Sequence, residues 1–375
     1  NPKRKPKFTH VLWALWYSLS LKTPRKHGKK MLITQDLLID IAKDYLRRLL
    51  RQENDIVAAY LTGSVLGEQA FIGGSTDIDL VIVHKEEPPV AREIRRVKSN
   101  ISFDIVHHHQ SLYTFHRRMR QDAWLGYALR NHDGIIHDTD HWLEFIQAGV
   151  DSQFDSPENT FARASKFSDA ARRYWFELDD DDETPFSEWL GVFFMSGGNA
   201  ANAVAALSGP GLTQRRFMLD FPARAEAVDQ LSLVGDLAHL LGNEYMSEAF
   251  YAKWRPVWET HLVECAQSPD CPPNLHKARK AYFLDSCDAM VEAGQLHAVL
   301  WPMLENWRQI EHCLREEANE DLEDEGKPSA SEDWLNFADE IGFSPDQKES
   351  KTRELGRFIE KVQQTLEDYK REYGL

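Results

Sequence analysis

The sequence has few cysteines, and none of them is placed as metal ligands or disulfide frameworks require. Its 375 residues include only Cys265, Cys271, Cys287 and Cys313. Four cysteines in so long a chain do not form a disulfide framework, and the absence of a C-x-x-C pair argues against a zinc finger. A reducing compartment is the simplest explanation, so we expect a cytoplasmic protein.

Long apolar runs are also absent. No stretch reaches 18 apolar residues, so the sequence predicts no membrane-spanning helix. An apolar run at 11–21 lies between two basic clusters, but it is too short to span a bilayer and no small-residue cleavage site follows it. We expect residues 1–30 to be an N-terminal extension outside the folded unit, with an interfacial anchor as the alternative.

Positive charge is outweighed by negative charge. The chain has 44 Lys and Arg against 60 Asp and Glu, a formal net charge of −16. Such a surface repels polyphosphate backbones, so a long nucleic acid is not expected as the main substrate. Cationic small molecules or a basic protein partner fit this charge better. Apolar residues make up 42 % of the chain, which is enough to build cores and excludes global disorder.

The hydrophobic pattern changes near residue 150. Before it, short apolar runs bounded by turn residues alternate with helical patterns, whereas after it only helical patterns remain. The sequence therefore predicts an α+β domain over residues 31–150, with a mixed sheet flanked by helices. An all-α helical domain is predicted over residues 151–375.

The predicted elements follow from these patterns. In the first domain we predict strands at 56–62, 77–83, 101–106 and 134–137. Its helices are predicted at 34–51, 90–98, 111–130 and 142–148, with a short helical stretch at 65–70. In the second domain we predict helices at 157–178, 185–207, 222–241, 247–266, 274–293 and 296–317, with two shorter ones near the C-terminus. The Gly197-Gly198 pair is expected to interrupt one of these helices, and the acidic runs at 179–183 and 316–325 are expected to be solvated loops.

Gly63 and Ser64 directly follow the first predicted strand. Glycine lacks a Cβ, so the backbone there can approach a phosphate closely, and the serine hydroxyl can donate to phosphate oxygens. Gly-Ser is also common in ordinary turns. The pair therefore indicates a nucleotide-binding turn only together with the acidic residues that follow it.

Asp77 and Asp79 are one residue apart on the second predicted strand, so both carboxylates lie on one face while Ile78 lies on the other. Two adjacent carboxylates repel each other unless a cation neutralises them. Mg²⁺ prefers such oxygen ligands and also holds substrate phosphates. The pair is therefore a candidate magnesium site.

Asp104 lies within the apolar strand 101–106, where a carboxylate is costly unless it is paired or binds a metal. If this strand neighbours the second one, Asp77, Asp79 and Asp104 converge. Three such carboxylates are the ligand set for two metal ions in phosphoryl or nucleotidyl transfer. All three are candidate catalytic and magnesium-binding residues. Asp104 is the best candidate to ligate the ion that activates the attacking hydroxyl or to take the proton of that hydroxyl.

The segments YLTGSVLGEQAFIGGSTDIDLVIV and ISFDIV together resemble the DNA polymerase β-type nucleotidyltransferase superfamily. Its pattern is Gly-Ser, a spacer, Asp-x-Asp and a separate acidic residue on a later strand. The resemblance covers residues 31–150 and is strongest to bacterial enzymes with a C-terminal helical bundle, such as aminoglycoside nucleotidyltransferases. It implies a nucleotidyltransferase fold in which Gly63 and Ser64 contact the triphosphate, Asp77 and Asp79 hold magnesium, and Asp104 completes the site.

The expected function is Mg²⁺-dependent transfer of a nucleoside monophosphate, AMP from ATP being favoured, to a hydroxyl of an aminoglycoside-like small molecule. The alternative keeps this chemistry but modifies a protein or a tRNA, as in toxin–antitoxin systems. A non-catalytic nucleotide-binding protein is a third hypothesis, and the presence of all three carboxylates argues against it.

Two further groups of residues have competing interpretations. Arg215 and Arg216 either face the nucleotide phosphates or lie solvated in a loop, and the loop is favoured. His107, His108 and His109 follow the Asp104 strand, and there solvent-facing side chains are favoured over a metal role.

Overall fold

The computed structural model describes residues 33–67, 70–180, 184–318 and 329–375. Within these ranges the architecture is α+β, with one five-stranded mixed sheet and thirteen α-helices. The strands are β1 (Ile56–Thr62), β2 (Thr76–His84), β3 (Arg92–Lys98), β4 (Ile101–His109) and β5 (Ile135–Asp138). The predicted extension at 1–30 lies outside the described residues.

All of the strands lie in the first part of the chain. The helices around the sheet are α1 (Gln35–Leu49), α2 (His116–Arg120), α3 (Leu125–Leu129) and α4 (Trp142–Asp151). The helices that follow are α5 (Pro157–Asp180), α6 (Phe186–Ala205), α7 (Phe217–Glu226), α8 (Ser232–Leu240), α9 (Glu248–Cys265), α10 (Lys280–Glu292), α11 (Leu300–Ala318), α12 (Ala330–Glu340) and α13 (Lys348–Tyr373). None of the helices in the described ranges is long and apolar enough to cross a membrane.

The sheet has the order β3-β4-β2-β1-β5. Strands β2 and β4 are parallel and the other neighbours are antiparallel. Side chains alternate along β2, so Ile78, Leu80 and Ile82 pack with α1 on one face, while Val81 and Val83 pack with α4 on the other. By the same alternation Asp77 and Asp79 lie on the α4 face, which is also the face that meets the helical part of the chain.

The helical part has its own core. It contains many aromatic residues, and Trp189, Trp258, Trp307 and Trp334 are almost fully buried. Helix α13 packs on α5 and α6, and the indole N–H of Trp175 donates to the carbonyl of Thr352 at 3.0 Å. This core supports the side chains that face the sheet.

The prediction of a helix at 90–98 is wrong, because residues 92–98 form the edge strand β3. Ile94 and Val97 are spaced as on a helix, but pairing with β4 determines the conformation. Several charged side chains on β3 suit an edge strand, since charge discourages pairing with another chain. This correction matters for function because Arg92 lies at the start of β3.

Three other stretches were predicted as longer continuous helices than the structure has. The stretch 111–130 contains a 3-10 turn and the separate helices α2 and α3, since Asp122 accepts hydrogen bonds from the N–H groups of Trp124 and Leu125 and starts a new helix. The stretch 222–241 is divided near Asp229, which has a positive φ of 56°. The helix predicted from residue 274 begins at Lys280, after two short 3-10 turns.

Predictions about interruptions and ends also need correction. Helix α6 runs through Gly197 and Gly198 without a break, and the absence of a Cβ at Gly198 lets the Trp301 ring pack against the helix. The predicted helix at 65–70 is a 3-10 turn over Gly63–Leu66. The last helix is 26 residues long rather than short. The acidic runs begin inside α5 and α11, and their remaining parts lie outside the described residues.

Candidate active site

A cavity of about 1050 Å³ lies between the sheet and the helical part of the chain. Its sheet side is lined by Gly63, Ser64, Asp79 and Asp104, four of the five residues singled out from the sequence. The fifth, Asp77, is almost fully buried beside Asp79. The fold therefore brings the candidate residues to one wall of one cavity.

Gly63 begins the 3-10 turn that follows β1, and its φ of +69° is a left-handed conformation that favours glycine. A Cβ at this position would clash with the carboxylate of Asp79. Glycine is therefore required here by the neighbouring carboxylate as well as by the backbone. Ser64 follows at the cavity wall, where its hydroxyl donates to the carbonyl of Ala70 at 3.4 Å.

Asp77 and Asp79 lie at the start of β2, on the same face as predicted. The hydroxyl of Ser102 donates to Asp77 Oδ1. Burial raises the pKa of Asp77, although Arg279 and Ser102 act in the opposite direction. Burial and then the charges of Asp77 and Asp104 raise the pKa of Asp79 from 3.8 to about 7. Among the described residues, no side chain hydrogen-bonds or ion-pairs with the Asp79 carboxylate, so this group stands ready to accept a cation or a proton.

Asp104 lies directly opposite Asp79 in the parallel pairing of β2 and β4. Nε of Arg92 donates to Asp104 Oδ1 at 2.7 Å, and Nη1 of Arg279 donates to Asp104 Oδ2 at 2.8 Å. Both oxygens of Asp104 are thus held by guanidinium groups. The predicted strand neighbourhood is present, since β2 lies beside β4 and Asp79 lies opposite Asp104. The oxygens of Asp77, Asp79 and Asp104 do not all lie within 4.8 Å of one another, and Arg92 and Arg279 lie among them.

Arg279 joins the helical part of the chain to the carboxylates. It lies in the turn just before α10, and Nη2 is 2.7 Å from Asp77 Oδ2. Burial opposes its charged form, but Asp77, Tyr282 and Asp104 outweigh burial and raise its pKa. Its guanidinium carbon lies 4.6 Å from the centroid of the Tyr282 ring. Arg279 therefore acts as a fixed cation between two of the three carboxylates.

Arg215 is buried rather than solvated, so the loop interpretation is wrong for this residue. Its Nη1 donates to the backbone carbonyl of Ser75 at 3.2 Å, just ahead of β2. The guanidinium also lies 3.8 Å from the centroid of the Tyr282 ring. Arg216 is half-buried and lines the cavity. The pair therefore adds positive charge to the lining of the cavity.

Sequence reasoning missed Arg92, Ser102 and Arg279. Arg92 and Ser102 could have been found by alternation, had residues 92–98 been interpreted as a strand beside β4. Arg279 carries no local signal, because its role depends on a contact with residues about 175 positions earlier in the chain. Only the tertiary structure places it.

A different group of side chains has the spacing of a metal site. Among the described residues, Glu53, Asp55 and His84 are the three acidic or histidine side chains whose ligand atoms all lie within 4.8 Å of one another. His107 is next to His84 and its side chain is only 8 % exposed, so the expectation that it faces solvent is wrong. This group lies on the α1 face of the sheet, away from the cavity.

The chain matches no protein-family model and no curated protein closely enough to assign it to a family. Any functional conclusion therefore depends on the chemistry of the residues in the cavity.

Proposed function

We propose that this protein is a Mg²⁺-dependent nucleotidyltransferase that moves a nucleoside monophosphate, AMP from ATP being favoured, onto a hydroxyl of a small-molecule acceptor. The observation that carries the proposal is the arrangement around one cavity. The Gly63-Ser64 turn, two carboxylates and five arginines line the same cavity. This combination of an anion-accepting turn, acidic ligands and fixed positive charge is what transfer from a triphosphate requires.

Several groups in this cavity support a place for the nucleotide. The backbone of Gly63 is exposed to the cavity, and Ser64 adds a hydroxyl beside it. Phosphate oxygens accept hydrogen bonds from such groups and from guanidinium forks. Arg215 and Arg216 face them from the helical side. We therefore place the triphosphate between the turn and these two arginines.

Asp77, Asp79 and Asp104 are the proposed magnesium ligands, and they have to draw closer together to share one ion, because their carboxylate oxygens do not all lie within 4.8 Å of one another. Asp79 has a pKa raised to about 7 and no ion-pair partner among the described residues, so bound positive charge stabilises it. Asp79 and Asp104 are register partners on adjacent strands, which lie about 4.8 Å apart in a sheet. Asp77, Asp79 and Asp104 would hold the ion, which when bound neutralises the carboxylates and polarises the triphosphate. Arg279 has to release at least one carboxylate for all three to become ligands.

The chain's own groups account for the transfer step. The acceptor hydroxyl loses its proton, its oxygen bonds to the α-phosphorus, and the bond from that phosphorus to pyrophosphate breaks. An Asp79 carboxylate that does not ligate the ion is a better proton acceptor than Asp104, because both Asp104 oxygens are held by arginines whereas no described side chain pairs with Asp79. This assignment replaces the earlier preference for Asp104.

The acceptor binds at the outer part of the same cavity. A volume of about 1050 Å³ is at the upper end for a ligand site and leaves room for two ligands. Trp124 and Tyr127 present aromatic faces to a ring, and Asp220 supplies a carboxylate. Burial raises the pKa of Asp220, against the opposing effects of Arg216 and Arg224. A hydroxylated ring with an amino group, as in an aminoglycoside, matches these groups.

The test is pyrophosphate release from each of the four NTPs with and without Mg²⁺. Each NTP is combined with aminoglycosides, other hydroxylated amines, a protein mixture and tRNA as acceptors. We expect release to need Mg²⁺ and a small hydroxylated acceptor. Stimulation by protein or tRNA alone would favour macromolecule modification instead.

Asp79→Asn and Asp77→Asn are the inactivating variants, and we expect each to abolish release. Asp40→Asn is the matched control, since Asp40 is an exposed carboxylate on α1 far from the cavity. No release with any acceptor, together with no Mg²⁺-dependent nucleotide binding by the wild-type protein, would sink the proposal.

A further inference from the structure

A second group of charged side chains lies at the other end of the sheet. Glu53 and Asp55 lie in the loop between α1 and β1, and His84 is the last residue of β2. Their ligand atoms are close enough for one cation to contact all three. His84 is five residues along β2 from Asp79, roughly 17 Å at about 3.3 Å per residue, and it lies on the opposite face. This group is therefore separate from the candidate active site.

His84 belongs to a chain of four side chains. Its Nδ1 lies 3.1 Å from Asp55 Oδ2, and its Nε2 lies 2.9 Å from Nδ1 of His107. Nε2 of His107 in turn lies 3.4 Å from Oε1 of Glu93. His84 is only 2 % exposed. This row of side chains thus has a carboxylate at each end and two imidazoles between them, and water has little access to the imidazoles.

Two neutral imidazoles cannot satisfy the three contacts in this chain. Each neutral ring has one N–H, and an ionised carboxylate only accepts hydrogen bonds. If the N–H of His84 donates to Asp55 and the N–H of His107 donates to Glu93, then neither Nε2 of His84 nor Nδ1 of His107 carries a hydrogen. These two nitrogens then point their lone pairs at each other. A buried mismatch of this kind is costly. The arrangement therefore needs one additional positive charge.

A metal ion on Nδ1 of His84 supplies that charge. Nε2–H of His84 then donates to His107, and Nε2–H of His107 donates to Glu93, so each remaining contact has one donor and one acceptor. Metal-ligating histidines are usually oriented by such a hydrogen bond from the second ring nitrogen. We propose that Glu53, Asp55 and His84 bind a first-row transition cation such as Zn²⁺, and that His107 and Glu93 orient the histidine ligand.

The ligand set distinguishes this cation from Mg²⁺. An imidazole nitrogen with two carboxylates suits Zn²⁺ and its first-row neighbours, whereas Mg²⁺ prefers oxygen ligands and water. Glu53 and Asp55 are half-buried while His84 is buried, so the ion reaches the site from the loop side and water completes its coordination there. The bound ion ties the α1–β1 loop to the end of β2.

The experiment uses the full chain after treatment with a chelator, titrated with Co²⁺ and then with Zn²⁺. We expect one equivalent of Co²⁺ to give the visible absorption bands of nitrogen and oxygen ligation. Zn²⁺ should displace it, and excess Mg²⁺ should not. His84→Gln should abolish the bands, and His107→Gln should weaken binding by about 10- to 100-fold. His239→Gln, at an exposed histidine on α8, should leave them unchanged.

A second variant is needed because His84 is buried, and His84→Gln could lose metal binding simply by misfolding. Glu53→Gln combined with Asp55→Asn changes only loop residues, and it should also abolish the bands while its circular dichroism matches that of the wild type. Thiol ligation is separable, because Cys265 lies beside Cys271 and Cys313 and would add a thiolate charge-transfer band in the near ultraviolet.

Two outcomes contradict the proposal. One is a Co²⁺ spectrum that carries the thiolate band and persists in His84→Gln. The other is the absence of any bound equivalent in the wild type.

Discussion

Replacing Asp79 by asparagine should make the metal-free protein more stable at alkaline pH, although it removes a candidate catalytic group. Burial, then Asp77 and Asp104, raise the pKa of Asp79 from 3.8 to about 7. Between these values the folded state holds a proton that the unfolded chain releases. Stability therefore falls as pH rises through this window. Asparagine carries no charge and avoids the loss.

The pKa of Asp79 sets the size of the effect. The difference between 3.8 and about 7, at about 1.36 kcal/mol for each pH unit, gives a ceiling of about 4 kcal/mol. Asp77 accounts for part of this free energy, because burial and the charge of Asp104 raise the pKa of Asp77 as well. We therefore expect Asp79→Asn to increase the free energy of unfolding by about 1–3 kcal/mol near pH 8 and by roughly a third of that near pH 5, because the window opens at the unfolded pKa of 3.8. Urea unfolding in the presence of a chelator measures both values.

Magnesium provides an independent check on the same residue. It should stabilise the wild type near pH 8 and have little effect on Asp79→Asn, since the variant lacks the charge that attracts the ion. Asp40→Asn, at an exposed site on α1, should show neither effect. An Asp79→Asn protein that is equally stable or less stable than the wild type at alkaline pH would refute the reasoning about this carboxylate.

Three further substitutions test neighbouring features. Gly63→Ala should lower the free energy of unfolding by about 1–2 kcal/mol, because residue 63 has a left-handed backbone. The new Cβ should also displace the Asp79 carboxylate, so the proposed transfer, measured as pyrophosphate release, should be lost. Arg279→Met should lower the free energy of unfolding by about 3–5 kcal/mol without Mg²⁺, because it leaves the buried carboxylates of Asp77 and Asp104 without this cation. The matched Arg353→Met, which breaks an exposed ion pair, should cost less than about 1 kcal/mol. Gly198→Ala places a Cβ 2.5 Å from Trp301 Cη2 and should cost about 1–3 kcal/mol in thermal unfolding.

Local patterns in the sequence were sufficient to predict the acidic wall of the cavity. The two-residue period of a strand puts Asp77 and Asp79 on one face whatever the rest of the fold does. Placing Asp104 beside them needed one assumption, that its strand is a neighbour of β2, and the parallel register of β2 and β4 bears it out. The α+β class was predictable for the same reason, because strand and helix periods separate along the chain.

Features that depend on distant contacts were not predictable. Residues 92–98 have helix-compatible spacing, and only the pairing with β4 makes them a strand. Helices α2 and α3 were predicted as one for a different reason, which is local. Asp122 accepts hydrogen bonds from the N–H groups of Trp124 and Leu125 and separates the two helices, and the hydrophobic pattern does not reveal this. Arg279 is the clearest case, since its charge is meaningful only once the helical part of the chain meets the sheet.

The charge of the cavity shows why the whole-chain charge is a poor guide to the ligand. The chain has a net charge of −16, which argues against a long polyanion. Among the described residues that line the cavity there are five arginines and four acidic side chains, and the buried Asp77 next to them makes the count equal. This region is therefore close to neutral, unlike the chain as a whole. A small polyanion such as a triphosphate meets mainly the local charge, because charges more than about 8–10 Å away are largely screened at physiological salt. The same protein can therefore repel a nucleic acid backbone over its surface and still bind a nucleotide within this cavity.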